Sequence, residues 1–182
     1  MNNIESASEI ICKRRSYRNF LPQLVEPDKL SKVLQAALLS PTSRNRQDWQ
    51  FIVVEDRVNL QKLSECKEHG AAFLKKAPIA IVVLGNSLEN DCWVEDGSIA
   101  AFAMQLQAEA LGLGSCWIHV RNRGLNSGIT ASEIVRGILN IPDDTDVLCI
   151  LALGYPATEL PPHSEDNLKW EQVHIGSYLG NE

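Results

Sequence analysis

The sequence predicts one domain of mixed α/β or α+β class, and three observations carry that prediction. Four short runs rich in β-branched or wholly apolar residues alternate with segments of helical periodicity. The 182 residues are 45% hydrophobic and 22% charged, the balance of an ordinary globular chain, which excludes disorder, collagen-like repeats and coiled-coil rods. No internal repeat or low-complexity tract divides residues 1–182, so a single unit spans them.

The elements follow in order. Residues 5 to 14 set Ala7, Ile10 and Ile11 among polar residues at helical spacing, and 16 to 25 reads as an extended connection. Glu26-Pro27-Asp28 opens a second helix with proline in its first turn. Leu30, Val33, Leu34, Ala37 and Leu38 form its apolar stripe, which stops at Ser40-Pro41 because proline disfavours helical geometry in the residue before it. A polar loop over residues 42 to 48 leads into a strand at Trp49 to Val54, then a surface helix at Asn59 to Glu68. Ile79 to Leu84 contains no polar residue, so it predicts a central strand covered on both faces, and Val147 to Leu153 has the same character. Ser115 to Val120 reads as a strand and Thr130 to Leu139 as a helix.

Between Val94 and Leu111 lies a helix that is apolar nearly all round: from Ile99 onward only Gln105, Gln107 and Glu109 are polar. Such a helix is buried in a large core or against another subunit. A chain of this size has little room for the former, so a dimer interface is expected. The polar, proline-containing tail after Tyr155-Pro156 is too long to be a fray and is expected to lie across a partner, with Trp93, Trp117 and Trp170 as packing or interface residues.

Charge and cysteines narrow the function. With 17 Lys+Arg against 23 Asp+Glu the net charge is −6, which argues against a nucleic-acid partner while leaving room for a local basic cluster to hold one phosphate. The first residues carry no basic leader pattern, and no run approaches the roughly 18 apolar residues of a membrane span. Cys12, Cys66, Cys92, Cys116 and Cys149 are scattered without a CxxC pair, and the four histidines show no metal-ligand spacing. Reduced thiols in a cytoplasmic protein without a metal site are expected.

Two nucleotide motifs are absent. There is no Walker-type phosphate loop, and Gly112-Leu113-Gly114-Ser115-Cys116-Trp117 has tryptophan where a dinucleotide fingerprint needs its third glycine. That segment also leaves a helix and enters a strand, the reverse of the required order. A nucleophile elbow is missing too, since Gly124 to Gly128 places Ser127 one position late.

Three segments can bind. Arg14, Arg15, Ser16 and Arg18 stand where the first helix gives way to extended chain, and forked guanidinium groups beside a hydroxyl suit a phosphate dianion; a solvated basic helix end that complements the helix dipole is the plainer alternative. In the loop of Pro41, Thr42, Ser43 and Asn45, small residues and an amide allow close approach of a planar heteroaromatic ligand, against the plainer reading of a helix-to-strand connection. Gly112 fits a helix cap, and Gly114 leaves room for another backbone or a ligand. His119, on a predicted strand among apolar neighbours, reads first as a structural histidine.

In this order, Ile11 to Phe20, Ala36 to Phe51, Trp93 to Ala101, Gly112 to Ile118 and Leu153 to Pro156 resemble the FMN-dependent nitroreductase family in its short form, over most of the chain. The resemblance implies an α+β fold with a central, mostly antiparallel sheet flanked by helices. It also implies an intertwined homodimer with FMN at the subunit interface and the C-terminal tail over the partner. By carry-over, Arg14, Arg15, Ser16 and Arg18 would hold the FMN phosphate, ribityl chain and pyrimidine edge. Pro41, Thr42, Ser43 and Asn45 would lie against the flavin, and Ile118, His119 and Val120 would bring backbone amides near its N5. The implied activity is hydride transfer from NADH or NADPH through the flavin, in ping-pong fashion, to small-molecule acceptors such as nitroaromatics or quinones. No side chain is singled out as catalytic, because the flavin carries the chemistry. A different reductive reaction on the same scaffold, and a flavin-binding redox module without turnover, are the alternatives. Two departures from the family pattern stand out: Asp48 where proline is usual, and a tail in which Lys169 is the only cation within reach of a phosphate.

Overall fold

The computed structural model describes residues 6–178. Its centre is a four-stranded sheet in the order β1-β2-β4-β3, built from β1 (Gln50–Val54), β2 (Ile79–Gly85), β3 (Gly114–His119) and β4 (Asp146–Gly154). Every neighbouring pair is antiparallel. Five α-helices surround it: α1 (Ala7–Lys13), α2 (Pro27–Leu38), α3 (Arg57–Leu63), α4 (Trp93–Ala110) and α5 (Ala131–Leu139). The fold is therefore α+β.

Local chemistry fixes the helix ends. Ser6 and Glu9 form a reciprocal capping box at α1, and Thr130 and Glu133 do the same at α5. Asp56 caps α3. Pro27 occupies the first turn of α2, whose far end closes with the Ser40 hydroxyl donating to the Ala36 carbonyl at 2.9 Å.

Both faces of the sheet are covered, which accounts for the unbroken apolar runs of β2 and β4. One face packs Ala80, Val82, Ile150, Cys116 and Ile118 against Leu60 and Leu63 of α3 and Val135 of α5. The other packs Ile79, Ile81, Val83 and Leu151 against Val33 and Ala37 of α2 and Ala100, Ala101 and Met104 of α4. An apolar run reports two covered faces and is silent on strand direction; here the directions alternate.

Helix α4 lies hard against the sheet because its inner positions are small. A Cβ on Gly97 would come within 2.7 Å of Leu148 Cδ2. Its opposite side leaves Ile99 and Phe102 exposed. The C-terminal end of α4 is tied down by Lys29, whose ammonium donates to the Leu111 carbonyl at 3.0 Å and to the Tyr155 hydroxyl at 2.8 Å. Tyr155 in turn donates to Glu26 at 2.6 Å. These bonds set where the chain leaves α4 and enters β3. No described helix is long and apolar enough to cross a membrane.

Candidate functional site

Strand β3 is an edge strand, and its free edge organises the site. On its inner side Cys116 and Ile118 face Ala152 and Ile150 of β4, and beyond the strand the Val120 amide donates to the Leu148 carbonyl at 3.2 Å. Main-chain groups alternate along a strand, so those of Ser115, Trp117 and His119 turn outward. Two outward groups have partners: the Ser115 carbonyl accepts from the Tyr17 amide at 3.0 Å, and the His119 carbonyl accepts from the Lys67 ammonium at 2.7 Å. Val120 spends its amide on Leu148, and Ile118 points toward β4. Of the stretch Ile118, His119 and Val120, only His119 presents its amide to the free edge.

The segment after α1 runs beside the start of this edge, with Ser16 bridging Ser115 in parallel fashion. Extended chain sends alternate side chains to opposite sides. Arg14, Ser16 and Arg18 converge on Cys116 of β3, whose thiol accepts the influence of all three. Burial pushes that thiol above its usual range, outweighing the two guanidinium groups, the Ser16 hydroxyl and the Lys67 ammonium that act in the opposite sense. Arg15 belongs to the other side. Its guanidinium donates to the Pro161 carbonyl of the tail, next to a cleft of about 390 Å³ lined by Lys13, Tyr17, Leu113, Pro156 and Leu160. Thus three of the four residues singled out in this segment come together, and Arg15 does not join them.

The glycines of the α4–β3 connection make this approach possible. Gly112 has φ +72°, the left-handed conformation of a helix terminus. A Cβ on Gly114 would sit 2.9 Å from the ring of Tyr17, so only glycine lets Tyr17 lie flat there and hold Ser16 at the strand.

Lys67 completes the basic group, and nothing in the sequence marked it. It follows α3 by four residues, half-buried, and sits close enough to Cys116 and Arg123 for each to perturb it. Burial holds its ammonium below the ordinary lysine value, and Arg123 adds to that effect. His119 feels the same cations: burial first, then Arg123, Lys67 and Arg121, hold its imidazole below the usual histidine value. A chain of net charge −6 therefore concentrates Arg14, Arg18, Lys67, Arg121 and Arg123 along one strand edge. Two forked guanidinium groups and a hydroxyl form a donor set for a phosphate dianion, and the outward main chain of Trp117 and His119, with the Lys67 ammonium beside it, is suited to the edge of a planar heteroaromatic ring.

The loop carrying Pro41, Thr42, Ser43 and Asn45 is built as firmly but elsewhere. Arg44, Asn45 and Gln47 all have φ between 53° and 54°, a left-handed conformation that costs a non-glycine residue roughly 1 kcal/mol or more and persists only where surroundings enforce it. The enforcing contacts are visible. The buried Asp96 carboxylate accepts from the Ser43 amide at 2.8 Å and from Asn90 Nδ2 at 3.0 Å. Thr42 Oγ1 accepts from the Gln47 amide at 3.0 Å. Asp48 accepts from Asn90 Nδ2 at 2.9 Å, and Arg46 donates to the Glu89 carbonyl. Asp48 thus anchors through a hydrogen bond the place where a proline ring would have stiffened the chain.

Within one chain the two clusters stand apart. The loop is fastened to Asp96 near the start of α4, whereas the arginine segment meets Gly114 and Ser115 just past its end, about 20 Å along the helix axis. The loop also leads into β1 and the arginines flank β3, the two outer strands of the sheet, about 14 Å apart across three strand spacings.

Comparison with known proteins agrees with this architecture. The nitroreductase family model matches residues 11–68 and 55–155. A protein of Archaeoglobus fulgidus named "Putative NADH dehydrogenase/NAD(P)H nitroreductase" is 34% identical over 176 residues, covering 94% of this chain and 98% of its own. An FMN reductase (NADPH) of Bacillus subtilis is 27% identical over 178 residues, covering 86% of this chain and 67% of its own. The solved structure of an FMN-dependent nitroreductase from Clostridium difficile R20291 superposes with a TM-score of 0.91 at 44% identity, covering 93% of this chain and 98% of that one. With its sheet, its ordered segments and these relatives in accord, the chain belongs to the nitroreductase family.

Proposed function

We propose that this protein is an FMN-dependent NAD(P)H oxidoreductase that reduces electrophilic small molecules, nitroaromatics and quinones among them. The observation that carries the reading is the convergence of Arg14, Ser16, Arg18 and Lys67 beside the free edge of β3. Bound FMN supplies reversible hydride transfer between a nicotinamide and an acceptor. Arg14 and Arg18 hold its phosphate, with Ser16 adding a hydroxyl. Lys67, bonded to the His119 carbonyl, places a positive charge at the end of the edge, where it favours negative charge developing on a bound ring. The His119 amide serves as a main-chain donor to that ring.

The separation of the two clusters supports a homodimer, in which one copy's Pro41, Thr42, Ser43 and Asn45 would reach the ring held by the other copy's arginines. Exposed apolar residues support the association: Ile99 at 44% and Phe102 at 45% on α4, Leu39 after α2, and Trp170 at 69% in the tail. The tail is held to α1 by the Arg15–Pro161 contact and by the His163 amide donating to the Cys12 carbonyl at 2.8 Å, and beyond them it carries Trp170, Val173, Ile175 and Tyr178 exposed, which suits an arm laid over a partner. Five free cysteines are at home in the reducing cytoplasm.

The test is spectroscopic. Purified protein is expected to be yellow or to become so with added FMN, and to oxidise NADH or NADPH with ping-pong kinetics toward a quinone. Protein that stays colourless with excess FMN would end the proposal. Flavin uptake without turnover would leave a binding module in its place.

A further inference from the structure

His119 ends β3, and its imidazole is prepared for more than packing. Trp117, two residues earlier on the same face, stacks against it with ring centroids 6.3 Å apart and planes 18° from parallel. The Trp117 indole Nε1–H donates to His119 Nδ1 at 3.4 Å. An indole nitrogen can only donate, so Nδ1 is the acceptor and the proton of the neutral ring resides on Nε2. Among the described residues Nε2–H makes no hydrogen bond. The charged groups that act on the ring are all cations: Arg123, Lys67 and Arg121. Arg121 is itself held 5.9 Å over the Trp93 ring. Together with burial they keep the imidazole neutral at neutral pH, so the tautomer set by Trp117 is the working one.

The residue addresses two directions. Its amide points along the sheet toward the free edge, and its side chain stands roughly perpendicular to the sheet. We propose that His119 donates a hydrogen bond from Nε2–H to the oxygen of a quinone or nitro acceptor, and so determines which acceptors the site takes. The donor meets an oxygen that gains negative charge as the acceptor is reduced, and such a bond strengthens as that charge develops. The assignment rests on the reductase reading above. It goes further by naming the side chain that recognises oxygen-bearing acceptors and the indole that fixes its tautomer.

Two measurements test it. In the FMN-loaded protein with ¹⁵N-labelled histidine, NMR should place the proton of neutral His119 on Nε2; a quinone added to the oxidised protein should shift the Nε2 resonance. In kinetics, His119→Phe should lower kcat/KM for a benzoquinone about tenfold more than it lowers the rate of flavin reduction by NADH, the scale of one net hydrogen bond. His119→Gln, which keeps a donor, should recover most of that loss, and ferricyanide, reduced without such a hydrogen bond, should show no selective loss. A proton on Nδ1, an unshifted Nε2 resonance, or equal losses in both half-reactions would overturn the proposal. A wild-type protein whose flavin NAD(P)H never reduces would instead overturn the reductase reading.

Discussion

Lys67 Nζ donates to the main-chain carbonyl of His119 at 2.7 Å, which fixes an ammonium group at the end of the free edge of β3. Burial, with Arg123 behind it, holds the folded-state pKa of Lys67 below 10.5. The unfolded chain therefore binds the Lys67 proton more tightly than the folded one. Stability contributed by this group is present above 10.5 and is lost as pH falls through the lowered folded value. An anion bound beside Lys67 reverses the shift. Urea midpoints followed with pH should rise across that window in the FMN-free protein, rise less in Lys67→Met, and stay flatter with FMN bound. Identical profiles for wild type and Lys67→Met would separate the lysine from the site.

The parity of the arginine segment gives a second expectation. Arg14 and Arg18 share the side of the chain that faces Cys116, whereas Arg15 holds the Pro161 carbonyl. Arg14→Ala with Arg18→Ala should weaken FMN binding by at least a hundredfold, about 1.5 kcal/mol or more for each charged hydrogen bond removed, while the circular dichroism of the fold is kept. Arg15→Ala should leave FMN affinity within a few-fold and speed proteolytic removal of residues beyond 161. Equal flavin loss in both variants would contradict the division.

Gly114 predicts an effect at a distance. Its Cβ in Gly114→Ala would press on the Tyr17 ring at 2.9 Å, and such overpacking costs about 1–3 kcal/mol. Because Tyr17 donates to Ser115 and sits between Ser16 and Arg18, these proposed phosphate donors should be displaced as well. Thermal melts should show the destabilisation and FMN titration a weaker site. Replacing Tyr17 by leucine in the same chain should relieve part of the melting-temperature loss; a simply additive double variant would show that the two residues are not in conflict.

Much of this architecture is legible in the sequence because local rules dominate it. Proline at the start of α2 and Ser40-Pro41 at its end bound that helix, and the apolar runs of β2 and β4 announce a sheet covered on both faces. What the sequence withholds depends on long-range neighbours. Lys67 lies in a stretch that reads as a surface helix, and only the packing of α3 under β3 turns it toward Cys116 and His119. The separate duties of Arg14 and Arg15 need the bridge from Ser16 to Ser115. Which of Ile118, His119 and Val120 offers an amide follows from the β3–β4 register alone. Asp48 for proline looks like a loss of rigidity until Asn90, forty-two positions away, is seen to hold it.

Asp96 yields the last prediction, because one buried carboxylate organises the whole loop. Its two oxygens accept from the Ser43 amide and from Asn90 Nδ2, and Asn90 also donates to Asp48. Asp96→Ala leaves two donors without acceptors in a buried place, at about 1–3 kcal/mol for each one left unsatisfied. Asp96→Asn should fare little better than alanine, since its new NH₂ would confront Asn90 Nδ2 or the Ser43 amide, donor against donor. The left-handed residues Arg44, Asn45 and Gln47 then lose part of the contacts that enforce them, so the loop should relax toward ordinary conformations. Hydrogen exchange should show faster amides over residues 42–48 than at β4 in both variants. If one copy's loop reaches the flavin of the other, FMN affinity should fall even though Asp96 lies far from Arg14 and Arg18 in its own chain. Loosened loop amides with undiminished FMN affinity in the dimer would place the loop outside the flavin site.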